Sequence, residues 1–203
     1  FIKFTNLPLS SYMNKYLTLA NKQLGVNIPP NNPPNGWTSE IHTSLDSWFK
    51  FASSCLLEGP LLVIDYAMEA RRYYHPSRTE GTLLSYRNQK TNNNVLADPG
   101  FVDITSHLCI ETLNLFAEMS NFRFVGERRQ GLSLLSLGLS DMLNSIKHSA
   151  SDNLEIALTR RENLLRLVDP LCLGEFRWIM YEKTCSDSLK RNSWPSFLLD
   201  PNS

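Results

Sequence analysis

An apolar run, Leu61-Leu62-Val63-Ile64, ends abruptly on an acid and an aromatic, Asp65-Tyr66. Bounded by Gly59-Pro60 and rich in branched side chains, the run predicts a fully buried strand. Ligands in open α/β sheets gather beyond the carboxyl ends of strands, so Asp65 stands where chemistry is usually placed. An ionised carboxylate there can grip a guanidinium through parallel hydrogen bonds and fix the plane of its nitrogens. The structural alternative is a turn cap, or an ion pair with Arg71 or Arg72. A second group is Arg78, Gly81, Thr82 and Tyr86, offering close backbone approach, a hydroxyl and a flat wall with a polar tip. A loop anchored onto the sheet by its own tyrosines accounts for the same residues. In a third group, Asp103, Thr105 and His107 open what reads as a helix. Asp103 suits its N-cap, and His107 titrates in the range that serves proton removal. Gln130 closes a later strand, where it either lines a pocket or satisfies a backbone group.

These residues need elements to hold them. Ile41, Leu45, Trp48, Phe49, Ala52, Cys55 and Leu56 recur at helical spacing and predict a helix over Glu40 to Leu57, stopped by Gly59. It leads into the Leu61–Ile64 strand as an αβ unit of the parallel-sheet kind. Upstream, Ser10 to Leu24 has weak helical spacing, FIKF at the start alternates as a short strand, and Ile28 to Gly36 is a Pro/Asn-rich surface linker. From Tyr66 to Pro99 no periodicity persists. A stretch that long is functional, disordered or conceals structure of its own, and its clustered tyrosines argue against disorder. Asp103 to Met119 reads as helix, Asn121 to Gln130 as strand and Leu132 to Ile146 as one helix. A last helix opens on an Asp152–Glu155 capping box and is stopped by Pro170. Phe176 to Tyr181 alternates as a final strand, and Thr184 to Ser203 reads as a tail with Trp194, Phe197 and Leu198 available to dock it.

Composition excludes several classes of function. Hydrophobic residues at 42% and charged residues at 20% are ordinary for a globular chain. Lysines plus arginines equal aspartates plus glutamates at 20 each, so no global field attracts nucleic acid or an anionic membrane. Cys55, Cys109, Cys172 and Cys185 lack the spacing of a zinc site and suit scattered thiols in a reducing compartment. No apolar run reaches the ~20 residues that span a bilayer. There is no G-x-G-x-x-G and no P-loop.

One set of residues carries a family likeness. Ile64-Asp65-Tyr66, Tyr73-Tyr74, Pro76, Arg78, Gly81-Thr82-Leu83, Asp98-Pro99-Gly100, Asp103-Ile104-Thr105 and His107 stand in an order and spacing that resemble the MidA family of S-adenosylmethionine-dependent methyltransferases. Gln130, Gly138, Leu167-Val168-Asp169-Pro170 and Leu173-Gly174-Glu175-Phe176 look like that family's closing segment. The family includes a mitochondrial complex I assembly factor that methylates an arginine. The likeness runs from Gly36 to Lys183 and covers the second half of the family's length.

The resemblance implies an α/β fold, the distal half of a class I (Rossmann-like) methyltransferase sheet with helical insertions, its last strand antiparallel to its neighbour. Residues 1–36 are then an N-terminal arm and linker, 37–183 the methyltransferase-like half-domain, and 184–203 a tail. It also implies S-adenosylmethionine as cofactor, with the glycine-rich turn and ribose carboxylate upstream of Phe1, so this chain alone is not expected to bind it. Asp65, Tyr66 and His107 become the catalytic residues. Arg78, Gly81, Thr82, Tyr86, Asp103, Thr105 and Gln130 become the substrate contacts, and no metal is implied. Two positions depart from the pattern: Ala67 stands where the family has glycine, and Cys109 where it has an acid. The expected partner is a protein substrate, with a homodimer left open and neither nucleic acid nor membrane insertion. The expected compartment is the cytoplasm, or the mitochondrial matrix in a eukaryote. The rival reading is a non-catalytic module whose long loop binds a partner.

Overall fold

The computed structural model describes residues 8–88, 90–149, 154–184 and 195–199. In chain order its elements are α1 (Ser11–Gln23), α2 (Leu45–Cys55), β1 (Gly59–Asp65), β2 (Ala67–Met68), α3 (Ala70–Tyr73), β3 (Leu84–Arg87), β4 (Lys90–Asn92), β5 (Asp103–Thr105), β6 (Leu108–Cys109), α4 (Ile110–Met119), β7 (Arg123–Arg129), α5 (Gln130–Ser136), α6 (Leu139–Ser149), α7 (Leu154–Val168), β8 (Arg177–Lys183) and a 3-10 turn, Ser196–Leu198. They fall into two units, Phe1–Ser47 with Met68–Phe116 and Trp48–Ala67 with Ala117–Ser203.

The second unit holds the three expected strands in one sheet, ordered β1-β8-β7, with β8 antiparallel to both neighbours. Leu61 and Val63 lie opposite Tyr181 and Ile179, both fully buried. On that face Phe49 of α2 meets Tyr181 and Phe122 at ring separations of 5.7 and 5.9 Å. Leu62 and Ile64 are 42% and 45% exposed, and β1 is an edge strand. The expectation of full burial is therefore corrected. A short apolar run is shared by fully buried and half-buried strands, and the alternating side chains separate them only once a register exists. Phe197 of the terminal turn packs on Trp178 at 5.4 Å. The expected Phe1–Leu7 strand, Asp152 and Trp194 lie outside the described residues.

In the first unit the core gathers Tyr16 and Ala20 of α1 and its C-cap Leu24 with Tyr73, Tyr74, Leu113 and Phe116. Tyr16 stacks on Phe116 at 5.8 Å. Ile28 is tied back to α1, because Asn21 Oδ1 accepts its N–H at 2.7 Å.

The long aperiodic stretch conceals structure of its own, one of its open alternatives, and three further element boundaries differ from expectation. The stretch from Tyr66 to Pro99 contains β2, α3 and a β3–β4 hairpin. Asp103 is not an N-cap: β5 pairs with β3, which places Asp103 opposite Tyr86, and the helix starts only at Ile110. Non-local strand pairing overrides the local capping pattern there. Helix α2 starts at Leu45, because Glu40 and His42 are engaged in side-chain contacts elsewhere in the first unit. The single helix expected from Leu132 to Ile146 is two, broken at Gly138, whose φ of +91° lies outside the helical range.

Candidate functional site

Glu40 organises the first unit's polar centre. Its Oε1 accepts the backbone N–H groups of Thr82 and Leu83 at 2.7 and 2.9 Å. Its Oε2 accepts the hydroxyls of Thr82 and Tyr73 at 3.2 and 3.1 Å. Tyr73 is fully buried and burial raises its phenol well above the usual range, so it remains a proton donor toward the carboxylate. Gly81 makes the approach possible: at φ +73°, a Cβ there would meet Glu40 Oε1 at 2.2 Å. Gly81 and Thr82 are thus engaged by a residue that sequence reasoning did not single out. No local signal marks Glu40, because its partners stand 33 to 43 positions away.

His107 joins the same cluster through its backbone N–H, which donates to Thr82 Oγ1 at 3.1 Å. Beside it lies His42, also missed, with its ring edge-on to Tyr73 at 5.4 Å. His42 Nε2 accepts the Cys109 N–H at 3.3 Å, which requires a neutral ring protonated on Nδ1. Burial lowers its pKa below the usual 6.5, partly opposed by the charge on Glu40. The Cys109 thiol is fully buried and pushed up to about 11, chiefly by burial. Glu111, two positions on, turns its carboxylate to the Ala70 N–H at 2.6 Å and so caps α3.

The remaining first-unit candidates sit apart from this cluster in the hydrogen-bond pattern. Tyr86 and Asp103 are exposed cross-strand partners, and Thr105 lies opposite Leu84. Arg78 Nε donates to the Arg72 carbonyl at 3.3 Å, a contact within the loop.

Asp65, Tyr66 and Gln130 belong to the second unit. Asp65 closes β1 opposite Arg177, and its Oδ1 accepts the Tyr66 N–H at 2.7 Å. Tyr66 stacks on Phe176, centroids 4.0 Å apart and planes at 29°. Gln130 is buried and satisfies backbone groups: its amide donates to the carbonyls of Leu167 and Leu173 at 3.2 and 3.0 Å, and its oxygen accepts Trp178 Nε1–H at 3.1 Å.

Two glycines of the second unit are engaged in backbone packing. A Cβ on Gly131 or Gly174 would stand 2.9 or 2.3 Å from the Val168 carbonyl, so both serve close backbone packing. No glycine follows β1 before α3. Among the described residues no group of three or more histidines, cysteines, aspartates and glutamates could hold a metal, and no helix is long and apolar enough to cross a membrane.

The model of a family described as "Putative S-adenosyl-L-methionine-dependent methyltransferase" matches residues 2–127. The chain belongs to this family. Two crystal structures of members of one superfamily from Burkholderia thailandensis share the fold. An uncharacterized protein has a TM-score of 0.71 and 22% identity over 89% of this chain. A second, bound to S-adenosyl-homocysteine, has a TM-score of 0.67 and 22% identity over 82% of this chain. The chain spans 45% and 41% of the lengths of these two proteins. No curated protein matches. The family's cofactor is S-adenosyl-L-methionine, yet the residues described here do not form the glycine-turn cradle such a cofactor needs, and no contact to it is assigned to them.

Proposed function

We propose that the intact protein is an S-adenosylmethionine-dependent methyltransferase acting on a protein side chain, with arginine the favoured acceptor. In this reading the β1-β8-β7 sheet is the distal part of a class I methyltransferase sheet, and the cofactor is held by polypeptide outside these 203 residues. The observation that carries the reading is membership of the methyltransferase family. The fold relative bound to S-adenosyl-homocysteine supports it.

Within that reading, Asp65 receives the substrate. It ends β1, and its backbone is set by pairing with β8, so its carboxylate is positioned by the sheet and not by a mobile loop. A guanidinium stays charged at physiological pH and cannot be buried without a partner, which a carboxylate supplies in bidentate form. Tyr66, held on Phe176, gives the site a rigid aromatic wall. Glu40, Gly81 and Thr82 hold the loop in shape. The free thiols of Cys55, Cys109 and Cys172 suit a reducing compartment, cytoplasmic or mitochondrial.

The test uses the intact protein, radiolabelled S-adenosylmethionine and arginine-, lysine- and glutamine-containing peptides. Label is expected on arginine, and Asp65→Asn is expected to lower the rate by about tenfold or more with a melting temperature within ~3 °C of the parent. Label on another residue type removes the arginine assignment. Full turnover by Asp65→Asn removes Asp65 from the site, and no transfer to any peptide favours a binding module.

A further inference from the structure

Asp65 stands at one end of a charged row across the second unit's sheet. The register sets it opposite Arg177 of β8, and sets Arg177 opposite Arg129 of β7. Directly opposed residues of antiparallel strands share a face with Cβ atoms about 5 Å apart, a spacing at which an acid and a base ordinarily pair. Here they do not pair. Arg177 Nη1 lies 3.4 Å from Glu127 Oε1, and Arg129 Nη1 lies 3.3 Å from Glu175 Oε1. Among the described residues no ion pair reaches Asp65, whose Oδ1 accepts the Tyr66 N–H. Arg177 is only 7% exposed, so its guanidinium has to keep a carboxylate. Glu127 pairs in register with Ile179, two positions along β8, and is therefore a diagonal neighbour of Arg177. The buried guanidinium goes to the diagonal acid and not to the one directly opposite.

We propose that Glu127 is a positioning residue: it holds the Arg177 guanidinium so that the Asp65 carboxylate stays open to a guanidinium of the substrate. The inference rests on Asp65 as the substrate ligand. Two guanidiniums, one of the protein and one of the substrate, would compete for the same pair of oxygens. The protein's own is tethered, so it competes at an effective concentration on the order of millimolar or higher. Only a stronger claim on Arg177 keeps it away, and the ionised Glu127 makes that claim. A glutamine at this position would keep an acceptor oxygen and lose the charge. Arg177, cut off from water by burial, would then turn to Asp65.

Urea unfolding and steady-state kinetics of the intact protein test this together, with an arginine-containing peptide as the probe. In the parent, Asp65→Asn is expected to change the unfolding equilibrium constant by less than about twofold. In the Glu127→Gln background the same substitution takes away the carboxylate to which Arg177 has turned, and the change is expected to reach roughly tenfold. Glu127→Gln is expected to raise KM about tenfold with kcat within about twofold of the parent, as for a site open about a tenth of the time. Glu127→Gln/Arg177→Gln removes both charges and is expected to return KM to within about twofold of the parent, a rescue that damage to the fold does not produce. Equal effects of Asp65→Asn on unfolding in the two backgrounds overturn this inference alone, whatever the kinetics. An unchanged KM, or a double variant that fails to restore it, overturns it as well. A parent that methylates no peptide overturns the proposed function, and the substrate role falls with it.

Discussion

Glu40 meets four donors with one carboxylate: two backbone N–H groups, the Thr82 hydroxyl and the buried Tyr73 phenol. Removing the acceptor strands those donors, so Glu40→Ala should cost roughly 2–4 kcal/mol in urea unfolding, while Glu40→Gln, which keeps one oxygen, should cost about half as much. Equal losses for the two variants would show that charge, not hydrogen bonding, holds the loop. His42 makes a second residue-scale prediction. Its folded pKa is lowered, first by burial and against the opposing charge of Glu40. The unfolded chain therefore binds more protons just below the usual 6.5, and stability is full above that value and falls as pH drops toward the folded pKa. Melting temperatures across pH 7 to 5.5 (a window about one unit below the ordinary histidine value) should decline. His42→Gln, which can still accept the Cys109 N–H, should flatten that slope. Neither residue was legible in the sequence. Asp65-Tyr66 stood out through its position after an apolar run, but Glu40 acts on residues more than thirty positions away, and periodicity carries no information about such partners.

Individual elements were read well where burial imposes a period. Helix α1 and strands β7 and β8 lie where apolar spacing put them. Misreadings arose where a second element decides the outcome: Asp103 looks like a cap until β3 pairs with it, and β1 looks fully buried until its edge is seen. Glycines show the same division. Gly138 and Gly174 are alike in sequence and differ in physical role. Gly138, at φ +91° with its nearest neighbour at 4.0 Å, ends α5 by conformation. Gly174 packs against the Val168 carbonyl, where an added Cβ would come within 2.3 Å. Gly138→Ala should thus cost about 1–2 kcal/mol, the left-handed backbone penalty, and Gly138→Asn noticeably less. Gly174→Ala should cost roughly 1–3 kcal/mol by overpacking, with Gly174→Asn no better. Denaturation midpoints of the four variants distinguish these causes, and relief by asparagine at position 174 would refute the steric account there.

At the scale of the whole chain, family membership and cofactor binding separate. The family depends on S-adenosyl-L-methionine, and a fold relative is bound to S-adenosyl-homocysteine, yet this chain spans only 41% of that relative's length. A methionine-derived cofactor carries an ammonium, a carboxylate, a ribose and an adenine, each needing a partner as it leaves water. In the first unit Glu40 is already occupied by four donors, and in the second Gln130 is occupied by two carbonyls and an indole, and the Gly131 and Gly174 backbones by close packing on Val168. Association must also offset several kcal/mol of lost translational and rotational freedom, which a partial set of contacts does not supply. The 203 residues alone are therefore expected to bind S-adenosylmethionine more weakly than about 1 mM, which corresponds to ~4 kcal/mol. A longer polypeptide that restores the rest of the fold should bind in the micromolar range. Isothermal titration calorimetry of both against S-adenosylmethionine and S-adenosyl-homocysteine provides the comparison. Micromolar binding by the 203-residue chain would mean that a cofactor cradle exists among these residues in a form that owes nothing to a glycine turn. Millimolar binding by both would detach the cofactor from this protein and leave the methyltransferase fold serving as an interaction module.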